Sequence, residues 1–245
     1  MKTAWYLRLS ETDVSRSAIL VGDRSRVHLI ASFMTETQVL NEDRGLLTVT
    51  GMFNGEKIVV VSFGMGAPIA AVVAHELINL GLTQILRLGT TMNLGPSNLG
   101  DFVLADSAIA RDGTSRSYIQ DKTTFFASSA LNSSIAHTLE GHGIAPRRGC
   151  VVSADGFYTE MMSLDEGDSF RVADKHKEFE NLGCIGLDME SAVLFAIGER
   201  LSVETSSLCI ATVSAHTKEK LSEQLRSDAE KKLSLVGLQS LSKGK

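Results

Sequence analysis

The sequence predicts an α/β protein with three layers, α/β/α, around a central mixed, mostly parallel sheet. Two observations carry that expectation. Short apolar, β-branched runs alternate with segments of helical periodicity, and most of the glycines, hydroxyls and charges that stand out fall where an apolar run ends. A third bounds the organisation: no Pro/Ser-rich linker or break in composition divides the 245 residues. They are read as one domain, 1–245, long enough to close a full core.

Each element follows from a local signal. Ser17–Gly22 is an apolar run ending in glycine, a first core strand, and Val27, Leu29 and Ile30 after it have helical spacing. Two β-rich runs, 46–52 and 58–62, flank Asn54-Gly55, a dipeptide suited to a hairpin turn with positive φ at both central positions. Gly64-Met65-Gly66-Ala67-Pro68 opens a largely apolar helix, 69–80, that Gly81 ends. A buried strand follows and is expected to stop at Arg87. Strands are then read at 101–105, 145–152, 184–187 and 207–213, and helices at 128–141 and 192–200. The polar stretch 159–182 reads as a mobile segment plus a helix. From Lys218 an amphipathic helix runs to a frayed Gly-Lys end.

Charge and composition exclude several functions. A net charge of −5 disfavours a nucleic-acid footprint or a polybasic membrane surface. The start lacks an apolar leader core and nowhere do 18 apolar residues run together, so a cytoplasmic protein is expected. Cys150, Cys184 and Cys209 have no metal or redox spacing and are read as free thiols; no metal and no cofactor are expected.

The chemistry gathers at the ends of the runs. Arg87, which has no partner inside a buried strand, is expected to emerge at its carboxyl end beside Gly89, Thr90 and Thr91, giving a fixed cation with short hydroxyl donors. Gly22-Asp23-Arg24-Ser25-Arg26 is a second anion-friendly turn, where free N–H groups of a helix start add to arginine charge. Phe157-Tyr158 offers an aromatic face, and Glu190 a lone carboxylate that can accept from sugar hydroxyls. Asp188 beside it is read as structural, its side chain turned away from that of Glu190. This inventory suits a ligand made of phosphate, sugar and base.

On Val21-Gly22-Asp23-Arg24-Ser25-Arg26-Val27, Gly64-Met65-Gly66-Ala67-Pro68, Arg87-Leu88-Gly89-Thr90-Thr91 and Asp188-Met189-Glu190-Ser191, the chain resembles the trimeric-to-hexameric nucleoside phosphorylases, which include uridine phosphorylase and bacterial-type purine nucleoside phosphorylase. The resemblance covers nearly the whole chain and implies a nucleoside phosphorylase-like fold. It implies that Gly22, Arg26, Arg87 and Thr90 hold inorganic phosphate as co-substrate, and that Arg44 completes that site in a neighbouring subunit. Met189 would lie against the ribose, Glu190 would bind its 2′-hydroxyl, and Tyr6 would stand where a histidine reaches the neighbour's ribose. Arg87 and Glu190 would be the catalytic pair. Thr91, Phe157, Met161, Ser214 and His216 would face the base, with Phe157 stacked on it. The partners implied are a nucleoside, phosphate and a second copy of the chain: a homo-oligomer with a dimer as active unit, in a hexamer if the family pattern holds.

The departures fall at the base end. Family members acting on purines carry an Asp where this chain has Ala215. Uridine phosphorylases hold uracil with a Gln and an Arg where it has Met161 and Ser163, and a cation-binding glutamate is matched by Gly45. The favoured expectation is phosphorolysis of a uridine-type nucleoside to free base and (deoxy)ribose 1-phosphate, because a uracil anion leaves without a dedicated general acid. Two alternatives stay open: a purine phosphorylase with an atypical base site, in which His216 or a water replaces the Asp, and a non-catalytic nucleoside-binding relative. A hydrolytic nucleosidase has no use for the Arg26 and Arg87 pair.

Overall fold

Strands that are buried on both faces fix the architecture. In the computed structural model, which describes residues 2–242, the chain runs β1 (Ser17–Val21), α1 (Arg24–Ala31), β2 (Thr35–Asn41), β3 (Thr48–Phe53), β4 (Glu56–Ser62), α2 (Ala67–Asn79), β5 (Gln84–Asn93) and β6 (Phe102–Ala110). It continues through α3 (Thr114–Tyr118), β7 (Thr124–Phe126), α4 (Ser129–Gly141), β8 (Arg147–Ser153), α5 (Glu166–Asn181), β9 (Cys184–Asp188), α6 (Ser191–Leu201), β10 (Glu204–Ser214) and α7 (Glu223–Leu241). Alternate residues of β1 feed two cores: Ile19 and Val21 pack with Val27, Ile30, Leu131, Ile135, Leu233 and Val236, whereas Ala18 and Leu20 pack with Val73, Leu77, Val193 and Ile197. Helices α1, α4 and α7 therefore cover one face and α2 and α6 the other. That is the three-layer arrangement, and it explains why β1 reads as an unbroken apolar run rather than an alternating one.

The sheet is mixed, with its two longest ladders, β5 with β10 and β6 with β8, parallel. From β5 it extends through β1, β4 and β3 to β2. On the other side β5 pairs with both β10 and β9, β10 pairs with β6, β6 with β8, and β8 with β9. That cycle of pairings rolls half of the sheet into a small closed barrel, which an open-sheet expectation does not contain. Closure removes an edge and brings the ends of β5, β8, β9 and β10 around one space.

Several local expectations need correction. β5 does not stop at Arg87 but runs to Asn93. β2, absent from the sequence reading, is an edge strand whose side chains mostly face solvent, so it carries no apolar period. β7 is too short to register. The last helix begins at Glu223, capped by the Ser222 side chain, rather than at Lys218, where φ is +58°. The Asn54-Gly55 turn is as expected, with φ of +48° and +82°. The Gly244-Lys245 end lies outside the described residues. Among those, no helix is long and apolar enough to cross a membrane.

Candidate active site

A cavity of about 650 Å³ opens where the chain leaves β1, β4, β8 and β9, against the middle of β5 and the end of β10. Gly22, Arg26, Arg87, Thr90, Thr91, Phe157, Met161, Met189 and Glu190 all line it. The four short motifs, spread over nearly 170 positions of sequence, thus share one wall.

Arg87 is the centre of the cavity's electrostatics. It lies within β5 and is 5 % exposed, so it does not emerge at a strand end. Its guanidinium is matched instead by carboxylates from the turn after β9: Nη2 donates to Glu190 Oε2, and Nη1 lies 3.3 Å from Asp188 Oδ2. Asp188 and Glu190 therefore do not diverge; both reach the same cation. Burial opposes the charged form of Arg87, but Cys209, Asp188 and Glu190 beside it hold the guanidinium firmly protonated. Glycine at position 89 leaves room for this arrangement, because a Cβ there would overlap the Arg87 guanidinium and push it aside. At Gly22 a Cβ would stand 2.7 Å from the Gly64 carbonyl, so the β1 and β4 turns can meet only without a side chain there.

Glu190 joins the halves. Besides Arg87 it accepts from Gly66 N–H at 2.7 Å, which ties the glycine-rich turn before α2 to the β9 turn. A carboxylate has about four lone-pair sites, so these two partners leave capacity for a sugar hydroxyl. Asp188 keeps the structural part expected of it as well, accepting from the Ser153 and Ser191 hydroxyls. The Thr91 hydroxyl is committed to the Leu187 carbonyl at 3.0 Å. Thr90 lines the cavity beside it.

At the other end the wall is apolar. Phe157, 36 % exposed, begins a single π turn (Phe157–Met161) and meets the Tyr158 ring edge-on at 5.0 Å. Met92, Met161, Met189 and Val213 complete this end. Flat apolar faces and polarisable sulfurs suit an aromatic ring without fixing its polar edge.

Four residues of the expected site are not in the cavity wall. The Ser214 hydroxyl accepts from Thr217 N–H, and His216 Nε2 pairs with Glu180 Oε1 at 2.7 Å, both turned away along the chain after β10. Tyr6 and Arg44 are together at the surface, with Arg44 Cζ 5.2 Å from the Tyr6 ring centroid, while the neighbouring Gly45 does line the cavity. Met92, Thr212, Val213 and Arg226 line it although the sequence did not single them out. Only chain alternation at the end of β10 could have hinted at Thr212, and nothing at Arg226. Among the described residues no group of three or more His, Cys, Asp or Glu side chains is placed to hold a metal.

A family model described as "Phosphorylase superfamily" matches residues 16–240, and the chain belongs to that family. Among its relatives, the uridine phosphorylase of Haemophilus influenzae is 28% identical over 243 residues, 96% of either chain. The DeoD-type purine nucleoside phosphorylase of Clostridium beijerinckii is 30% identical over 218 residues, 86% of this chain and 85% of the relative. A crystal structure of uridine phosphorylase from Vibrio fischeri ES114, complexed with 6-hydroxy-1-naphthoic acid, matches with a TM-score of 0.87 at 25% identity, covering 99% of this chain and 97% of that one.

Proposed function

We propose that the protein is a nucleoside phosphorylase that converts a nucleoside and inorganic phosphate to free base and (deoxy)ribose 1-phosphate, with uridine-type nucleosides favoured. The observation that carries this reading is the buried Arg87, held between Asp188 and Glu190 in the same cavity as the Gly22–Arg26 turn. A phosphate oxygen attacks C1′, the N-glycosidic bond breaks, and its electron pair leaves with the base. The sugar passes through a cationic, oxocarbenium-like state. An anion fixed by Arg26, Arg87 and Thr90 beneath C1′ stabilises that charge as it develops, which lowers the barrier rather than tightening ground-state binding. Glu190 orients the ribose through its 2′-hydroxyl, with Met189 against the ring. Phe157 stacks on the base, and Met161 packs beside it.

Phe157 and Met161 at the base end offer no proton to a leaving group, which fits one that departs without a dedicated acid, as a uracil anion does. Purine phosphorolysis is the second reading, favoured by the DeoD-type relative and by a base end with no side chain dedicated to a pyrimidine. Arg44 and Tyr6 reach a neighbour's site, so the working unit is at least a dimer, in the cytoplasm, where Cys150, Cys184 and Cys209 stay free.

The test is to incubate the purified protein with uridine, thymidine, inosine, adenosine and guanosine, with and without phosphate, and to follow free base. Phosphate-dependent release is expected, fastest with uridine. Stabilisation by a nucleoside without turnover in either buffer would overturn the reading in favour of a binding protein.

A further inference from the structure

The phosphate end of the cavity holds a cation that the motifs do not contain. Arg226, on the first turn of α7, lines it together with Arg24, Arg26 and Arg87. One oxygen ties it to the expected site: Glu230 Oε1 accepts from Arg226 Nε at 3.0 Å and from Arg26 Nη2 at 3.0 Å, the latter across 204 positions of sequence. Arg226 and Glu230 are one helical turn apart on a helix whose start is fixed by the Ser222 cap, so their spacing is set by the backbone. The Arg26 side chain is 4 % exposed and has two partners, Glu230 and the Leu88 carbonyl. Its Nε is buried with no partner. A buried donor left unpaired is costly, and an anion is the kind of group this corner lacks.

A second carboxylate at this corner, Asp23, is already engaged. Its carboxylate accepts from Ser25 N–H at 2.8 Å. Burial alone would raise it, but the Ser25 bonds and the nearby Arg26 and Arg226 hold it below its ordinary range, so it stays ionised and occupied. Glu230 is thus the carboxylate that decides where the Arg26 guanidinium sits. It does so from a helix outside the sequence motifs.

We infer that Glu230 is a positioning residue of the phosphate end, its single oxygen holding Arg26 in place and presenting Arg226 as a further anion contact from α7. This rests on the phosphorylase reading for the identity of the anion. It requires only that the cavity bind inorganic phosphate.

Calorimetric titration with inorganic phosphate tests it on the full chain and on Arg226→Ala, Glu230→Ala and Glu230→Gln, alongside phosphorolysis kinetics. Arg226→Ala and Glu230→Ala are expected to weaken phosphate binding roughly tenfold, the effect of losing or misplacing one charge-assisted contact. The KM for nucleoside at saturating phosphate stays unchanged. Glu230→Gln keeps an accepting oxygen and is expected to recover most of the affinity. A helix pair that is merely structural would lower Tm without moving phosphate affinity. Phosphate affinity within about twofold of wild type in Arg226→Ala would therefore overturn the inference. Arg226 is 47 % exposed, so that variant carries the test even if Glu230→Ala fails to fold. Variants that match wild type while phosphorolysis proceeds sink this inference alone. Loss of phosphate affinity in a protein that turns over no nucleoside sinks the phosphorylase reading alone.

Discussion

Arg87 Nη2 donates to Glu190 Oε2 across 103 positions of sequence, and this one buried pair joins the β5 wall of the cavity to the turn after β9. The ends of the pair are set by different elements, the middle of β5 and the turn into α6. The sheet's closure through β9 and β10 brings them together. A buried charge without its partner is strongly destabilising, so the pair constrains folding as well as chemistry.

Arg87→Ala is expected to lower kcat/KM by about 2–4 kcal/mol of barrier, roughly 30- to 900-fold, by analogy with the loss of a preorganised donor. Stability falls by about 3–5 kcal/mol, because Asp188 and Glu190 are left without their cation. Gly89→Ala probes the same group without deleting it: the added Cβ would displace the guanidinium it overlaps. Steady-state kinetics in which Gly89→Ala keeps full activity would contradict this geometry.

Arg44 and Tyr6 form a surface unit, and the backbone on the Tyr6 side is anchored by Glu76. Its carboxylate accepts from the N–H groups of Trp5, Tyr6 and Leu7 at 2.8–3.1 Å. Trp5 beside them is 84 % exposed. If this unit completes a neighbour's site, Arg44→Ala and Arg26→Ala are each impaired alone, but subunits mixed from both regain activity. In the mixed dimer one of the two sites has neither substitution. Co-refolding the two variants and assaying phosphorolysis checks this. Activity no higher than the mean of the parents would place each site within one subunit.

Met161→Gln would put an amide where the base end is now apolar. Met161 is 6 % exposed, so the unliganded variant buries an amide and loses about 1–3 kcal/mol of stability. Uridine supplies partners for that amide through its carbonyl and N–H edge. The KM for uridine is expected to fall relative to that for inosine. A uridine-to-inosine ratio unchanged from wild type would show that position 161 does not face the base edge.

His176 carries a pH dependence. It is buried on α5, and its Nε2–H donates to the Glu160 carbonyl at 3.1 Å, bracing the π turn that holds Phe157 and Met161. Burial is the largest influence and, with His216 nearby, lowers its pKa below the usual 6.5 despite the opposing Glu160 and Met161 carbonyls and the Glu180 charge. Between 6.5 and the lowered folded value the unfolded chain binds more protons, so this residue's contribution is complete above 6.5 and declines as pH falls through that window. Tm measured across mildly acidic pH should drop more steeply for wild type than for His176→Asn. Parallel curves would remove His176 from the account.

Motifs whose residues are neighbours in the chain were legible, because local backbone geometry forces them to stay together. Gly22–Arg26 is one such turn and Asp188–Glu190 another. The position of Arg87 was not: a cation in an apolar run looks like a strand end, unless its partners are known to arrive from a different strand. β2 escaped for the opposite reason, being held by backbone pairing at an edge with little to bury. Ser214 and His216 sit close in sequence to Thr212 and Val213, which do line the cavity, but the chain turns away after β10. Two residues of offset there decide which side chains face the ligand.

By itself, then, the sequence determined most of the strands and helices in their order, the helices layered on a mostly parallel sheet, and the four short motifs that line the cavity. These follow from hydrophobic period, turn chemistry and short-range backbone geometry. Only the tertiary structure decided that the sheet closes on itself, that Arg87 is buried between Asp188 and Glu190, and that α7 brings Arg226 and Glu230 to Arg26. Those depend on pairing and packing between segments far apart in the chain. Burial makes such charge pairs obligatory without leaving any local mark on the sequence.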